Sequence, residues 1–172
     1  MKGGNLAIRS KMNILELKEI STSREQKTVR GLFQTLINAP VRKFPSVRGN
    51  LDAPREHGVY VIYGPRMRVL HVGRTLRGIR GGVRNRLGNH LHGASSFSQQ
   101  YLDGEVTKLR RHCAYRCLVV NDPRLRALLE AFAIGYLCPA HIGTGDKVAM
   151  FLPPQGVHPF GVSEGRRTRA IT

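Results

Sequence analysis

Between residues 58 and 63 the chain adopts a period of two: Val59, Val61 and Tyr63 alternate with Tyr60 and Ile62, the spacing of a strand with two distinct faces. Gly64, Pro65 and Arg66 supply turn chemistry before a second apolar run at residues 69–72, so the pair predicts a short β-hairpin. Val83, Leu87 and Leu91 then recur at helical spacing, and Gly93 closes that segment. Residues 98–102 suggest a short second helix, and residues 114–120 form an apolar, β-branched run that reads as a third strand. Asp122 and Pro123 provide a cap and a first-turn proline for a helix through Leu125, Leu128, Leu129, Phe132 and Tyr136. Upstream, Val29, Leu32, Phe33, Leu36 and Ile37 share one helical stripe, with Ser23 and Gln26 at capping-box spacing. A helix is therefore expected over residues 23–39, stopped by Pro40. Residues 1–20 show no clear period and read as an arm, and residues 41–54 read as a linker.

The order β-β-α-(α)-β-α predicts an α+β fold: a small, mainly antiparallel three-stranded sheet flanked by helices. The expected organisation is an arm, helix and linker over residues 1–56, the main domain over 57–147, and an irregular basic tail over 148–172 ending in Arg166, Arg167, Thr168 and Arg169. No internal repeat is visible.

Composition narrows the partners. Lysine and arginine total 28 against 11 acidic residues, an excess of 17 charges that draws in polyanions through counterion release. Nucleic acid is the expected partner. A membrane surface would call for a basic amphipathic helix with bulky aromatics, whereas this chain has no tryptophan and spreads its charge throughout. With no apolar run near the ~18 residues of a membrane helix and no signal-like segment at the N-terminus, a soluble, cytoplasmic protein is expected. Cys113, Cys117 and Cys138 make an odd number without a paired motif, so they are expected as reduced core residues rather than disulfides or a zinc ribbon. Along a strand, Cys113 and Cys117 would lie roughly 13 Å apart, too far to share a metal.

Several residues carry candidate chemistry. Glu130 is the single carboxylate among Ala127, Leu128, Leu129, Ala131, Phe132, Ala133 and Ile134, and a carboxylate so placed needs a partner. Arg126, one turn earlier, offers an ordinary helix pair; a metal ion is the alternative. Arg86 and His90 stand four apart on the helix after the hairpin, placed to clamp a phosphate or simply to form a solvated basic face. Tyr60 and His71 lie on adjoining strands and become cross-strand neighbours if the turn is short.

Gly58-Val59-Tyr60, followed by Val69-Leu70-His71-Val72-Gly73-Arg74-Thr75, resembles the two opening motifs of the GIY-YIG nuclease superfamily, with His71 where the second tyrosine usually stands. Arg86-Leu87 followed by His90 resembles the family's arginine helix, and Glu130 within Leu128-Leu129-Glu130 is similar to its metal-binding glutamate. The likeness spans about residues 57–145, with the pieces in the family's order. It departs from the pattern at His71, which keeps a group able to hydrogen bond or shuttle a proton. The loop from Gly73 to Arg86 is longer than in compact members, so that Arg84 competes with Arg86, and no asparagine stands near His141-Ile142-Gly143.

The resemblance implies an endonuclease that hydrolyses phosphodiester bonds in DNA, with RNA as a further possible substrate. Tyr60 would be the general base, assisted by His71; Arg86, with His90, would hold the non-bridging oxygens; Glu130 would hold one divalent ion, Mg2+ or Mn2+. Arg74, Arg77, Arg80 and Arg84, interleaved with Gly73, Gly78, Gly81 and Gly82, form a nucleic-acid-binding loop or a plain connector. The helix over residues 23–39 either extends the DNA footprint or covers one face of the sheet. Cutting both strands with one site favours a dimer on DNA. The competing readings are a nucleic-acid-binding protein of the same fold without cleavage, and an RNA-binding accessory protein.

Overall fold

The computed structural model describes residues 14–143, apart from 48 and 79. Four strands, β1 (Arg42–Lys43), β2 (Gly58–Tyr63), β3 (Val69–Arg74) and β4 (Ala114–Val119), form one sheet in the order β1-β4-β2-β3, every neighbouring pair antiparallel. The long helices are α1 (Ile14–Asn38), α2 (Gly82–Leu91) and α4 (Pro123–Leu137), with a short α3 (Thr107–His112) before β4. The fold is α+β, and among the described residues no helix is long and apolar enough to cross a membrane.

The alternation in β2 explains the layering. Tyr60 and Ile62 point into a core with Leu70, Val83, Leu87, Phe97 and Leu109, while Val59, Val61 and Tyr63 join Phe33, Leu36, Val72, Leu129 and Ala133 on the opposite face. All six residues of β2 are buried, so the central strand is covered on both sides and its packing fixes the register. Helix α1 therefore covers a sheet face. Phe33 meets the α4 rings of Phe132 and Tyr136 at 5.2 and 4.8 Å, and Arg124 donates to both carboxylate oxygens of Glu25 at 2.6 and 2.9 Å.

Several expectations need correction. The sheet has a fourth strand, β1, inside the segment expected as a linker; its two residues are too few for any periodicity and are ordered by pairing with Tyr115 and Ala114. Helix α1 begins at Ile14, nine residues before Ser23, so Ser23 and Gln26 lie within it and cap nothing. The helix suggested at residues 98–102 is a single wide turn, Phe97–Tyr101, and α3 follows it unforeseen. Cys113 and Cys117 are buried thiols as expected, but Cys138 is exposed at the left-handed end of α4. The Asp122 cap holds, its Oδ1 accepting from Leu125 N at 2.7 Å. The basic tail lies outside the described residues.

Candidate active site

Register brings the first candidates together. Tyr60 pairs with Gly73, and His71 pairs with Ile62. Tyr60 and His71 are thus diagonal rather than opposite neighbours, their rings 6.0 Å apart. A Cβ on Gly73 would collide with Tyr60 Oη and Cζ and stand 3.0 Å from His71 Nε2. The missing side chain is what lets the phenol and the imidazole converge over β3. A second glycine aims α2: Gly82 lies against the Arg55 and Glu56 carbonyls with φ +52°, and Val83 N and Arg84 N donate to Glu56 O and Pro54 O at 3.0 and 2.8 Å. So anchored, α2 carries His90 to Tyr60, with Oη 2.8 Å from Nε2.

His90 is fully buried, and its Nδ1 lies 2.6 Å from Ser95 Oγ. Ser95 Oγ lies 2.9 Å from Ser98 Oγ, and Ser98 Oγ donates to His90 O at 2.7 Å. His71 stacks on Phe97 at 5.0 Å, and His90 meets the same ring edge-on at 5.5 Å. A third imidazole arrives from beyond α4. Ala140 N and His141 N donate to Val69 O and Leu70 O at 3.2 and 2.9 Å along the free edge of β3, which sets His141 Nδ1 3.2 Å from His71 Nδ1. His141 Nε2 is buried without a partner.

Burial dominates the electrostatics. It raises the Tyr60 phenol well above its ordinary value, a rise opposed by the Arg86 guanidinium. It also drives His71 down to about 3, with His141 and Arg86 adding to the shift. His90 falls well below the ordinary imidazole value for the same reason, with His71 and Arg86 contributing, and His141 falls by burial. The cluster is therefore three neutral imidazoles and a neutral phenol at neutral pH. Arg86 is half-buried, and its charge bears on Tyr60, His71, His90 and Glu130 alike. Arg84, its rival, is exposed, donates to Ala53 O at 2.7 Å, and lines an open concavity with Asn50, Leu51, Asp52 and Arg55 that none of the Tyr60 cluster shares.

Glu130 sits on α4, which packs against β3. Its partner is not Arg126. Arg126 is buried and spends its guanidinium on carbonyls, donating to Thr75 O at 2.9 Å, Val120 O at 2.8 Å and Asn121 O at 3.1 Å. Arg74, 56 residues away, donates from Nε to Glu130 Oε2 at 2.6 Å. Even so, burial holds the Glu130 carboxyl above its ordinary value against the pull of Arg74 and Arg86. A carboxylate that remains under-compensated beside an arginine is suited to further positive charge, and its side chain keeps 24% exposure. The described residues contain no group of three or more His, Cys, Asp or Glu placed to hold a metal. A closed zinc site would need several such ligands; Glu130 offers a single carboxylate, a donor set that an ion of the Mg2+ or Mn2+ kind would accept only if it kept most of its waters.

Of the expected nucleic-acid-binding arginines, Arg77, Arg80 and Arg84 are exposed around the loop between β3 and α2, while Arg74 is half-buried and committed to Glu130. Tyr60, His71, Arg86 and His90 form one cluster, tied to Glu130 through Arg86. Ser95, Ser98 and His141 belong to it as well and were not foreseen. Buried serines in a short polar stretch carry no pattern, and His141 is brought in by a backbone bridge to His71. No protein-family model, curated protein or solved structure matches the chain.

Proposed function

We propose that the chain is a metal-dependent endonuclease that hydrolyses phosphodiester bonds in DNA, with Tyr60 as general base, Arg86 on the phosphate and Glu130 holding a divalent ion. The single observation that carries this reading is the 2.8 Å contact between the buried Tyr60 hydroxyl and His90 Nε2, in reach of the Arg86 charge. A buried hydroxyl paired with a neutral imidazole, beside one guanidinium, is an arrangement for moving a proton next to an anion.

In the resting site neither phenolate nor imidazolium is stable: burial opposes both and outweighs the help that the Arg86 charge gives the phenolate, while the same charge adds to the cost of the imidazolium. A bound phosphodiester brings negative charge opposite Arg86 and makes an imidazolium acceptable. Tyr60 is fully buried, so substrate binding has to admit one water to its hydroxyl. Tyr60 then passes its proton to His90 Nε2 as it takes one from that water; the water oxygen forms the new P–O bond, and the bond to the departing oxygen breaks. That oxygen takes a proton from solvent, and His90 returns its proton to solvent after product leaves. Arg86 neutralises charge on the non-bridging oxygens. The divalent ion would supply Lewis-acid stabilisation of the phosphate and the departing oxygen, with Glu130 as its protein ligand. The exposed Arg77, Arg80 and Arg84 and the excess of 17 positive charges support a nucleic-acid substrate of either sugar type, and duplex DNA is the reading tested first.

The test is cleavage of supercoiled plasmid at low salt with Mg2+, Mn2+ or EDTA, comparing wild type with Glu130→Gln. Metal-dependent nicking or linearisation that disappears in the variant is the expected result. A second reading is favoured by one specific observation: the Arg74–Glu130 ion pair at 2.6 Å gives the carboxylate a protein partner in place of a metal, even though burial leaves it only partly compensated, as suits a protein that binds nucleic acid without cutting. Equal plasmid binding by both proteins with no cutting of DNA, branched DNA or RNA under any metal would decide for it.

A further inference from the structure

We infer that Ser95 and Ser98 are positioning residues that lock His90 in its Nδ1–H tautomer, leaving Nε2 bare to accept the Tyr60 proton. The argument is a count of hydrogens. Ser98 has one hydroxyl hydrogen, and a hydroxyl 2.7 Å from a carbonyl oxygen must donate, so that hydrogen is spent on His90 O. The 2.9 Å contact between the two serine hydroxyls then uses the Ser95 hydrogen. Ser95 Oγ already accepts from Ser98 N at 3.1 Å and has one lone pair left. Facing it at 2.6 Å is His90 Nδ1; with no hydroxyl hydrogen left to donate, Ser95 has to accept, and Nδ1 carries the proton.

A neutral imidazole has one N–H. His90 is held neutral by its surroundings, so a proton on Nδ1 leaves Nε2 as an acceptor, and the Tyr60 hydroxyl 2.8 Å away becomes the donor. The opposite tautomer would require Ser95 to donate to Nδ1, and the one remaining hydroxyl hydrogen, on Ser98, cannot serve both of its contacts: either His90 O and Ser98 Oγ face each other at 2.7 Å, or Ser95 Oγ and Ser98 Oγ at 2.9 Å, with lone pairs alone. That carbonyl also takes Gly93 N at 3.3 Å, but that bond does nothing for the serine oxygen. The serines are buried to 3% and 0% exposure, so bulk water is no substitute donor. Local folding makes the set rigid: Ser95 O accepts from Gln99 N and Ser98 O from Gly104 N, at 3.0 and 2.9 Å, which pins both residues beneath the end of α2.

The catalytic value of this lock rests on the nuclease reading above; the tautomer does not. Histidine nitrogen NMR on the full chain, with His90 assigned through His90→Gln, separates the two. The expected wild-type spectrum has a protonated Nδ1 and a pyridine-like Nε2 at His90; a protonated Nε2 as the main form overturns the inference without any serine variant. Ser95→Ala is expected to give a mixture of tautomers and to lower kcat about 10-fold or more with little change in KM, and Ser95→Thr, which keeps the hydroxyl, to restore both. A folded Ser95→Ala with an unchanged tautomer also overturns it. If the tautomer is as expected and wild type cuts no nucleic acid, the nuclease reading fails and the lock stands as a structural fact.

Discussion

Arg74 closes on Glu130 across two elements, the end of β3 and the middle of α4, with Nε 2.6 Å from Oε2 and both side chains partly buried. The pair couples the carboxylate to the arginine-rich loop that follows β3. If the proposed function holds, a phosphate would be the second partner of Arg74 when a divalent ion takes its place at Glu130. Glu130→Gln is expected to reduce cleavage by roughly 10²-fold or more, in line with loss of a transition-state charge stabiliser. The same change frees Arg74 and raises the net charge by one, so plasmid binding should hold or tighten slightly. Parallel cleavage and filter-binding titrations check both; cutting at the wild-type rate would overturn the proposed metal role of Glu130.

Two glycines within 15 residues should respond oppositely to alanine. Gly73→Ala places a methyl group against Tyr60 Oη and Cζ, and overpacking of this kind costs about 1–3 kcal/mol. Because the displaced group is the phenol, the Tyr60–His90 contact should be lost as well, and cleavage should fall further than stability does. Gly88 lies within α2, and a Cβ there meets nothing within 4 Å, so Gly88→Ala should stabilise by about 0.5–1 kcal/mol through helix propensity. Urea unfolding of both variants is the measurement; equal effects would mean that Gly73 does not seat the phenol.

Arg126 has the signature of a structural cation. It is 1% exposed and satisfies three carbonyls, those of Thr75, Val120 and Asn121, at the junction of β3, β4 and α4. Arg126→Met keeps the aliphatic bulk and removes the donors, and each buried acceptor left unpaired costs about 1–3 kcal/mol. A drop of roughly 3 kcal/mol or more in unfolding free energy is expected, a large part of a small domain's stability. A change under about 1 kcal/mol would mean that water replaces the guanidinium.

Strands β2, β3 and β4 and helices α2 and α4 are legible from period and order, because each rests on spacing along one element; Tyr60, Arg86, His90 and Glu130 are singled out by residue type and by the family resemblance, and the structure brings Tyr60, Arg86 and His90 together. What was not legible came from distant pairings. β1 exists through Tyr115 and Ala114, more than 70 positions downstream. Local spacing favours Arg126 as the partner of Glu130, yet Thr75, Val120 and Asn121 claim that guanidinium and leave Glu130 to a β3 residue. Ser95, Ser98 and His141 gain their place from the tight turn after α2 and the backbone bridge onto β3, neither of which leaves a periodic trace.

The buried histidines predict an acid-sensitive fold, and the sign follows from which state takes up protons. His71 moves from an ordinary 6.5 to about 3 in the folded chain, and His90 is also well below its ordinary value. As pH falls below about 6.5 the unfolded chain protonates these rings and the folded chain does not, so stability present at neutral pH is lost on acidification. Two such protons give a slope of roughly 2.7 kcal/mol per pH unit, with His141 adding to it. Glu130 acts in the other direction, since its raised carboxyl pKa means that acid relieves a buried charge, but it does so only near the carboxylate range. Urea midpoints should therefore fall steeply between about pH 6.5 and about pH 5. His71→Phe, which keeps the stacking surface for Phe97, should reduce the slope by about one proton, or 1.4 kcal/mol per pH unit. A flat profile for wild type would mean that the three imidazoles are hydrated and charged at mild acid, and with that the neutral Tyr60–His90 pair would lose its physical basis.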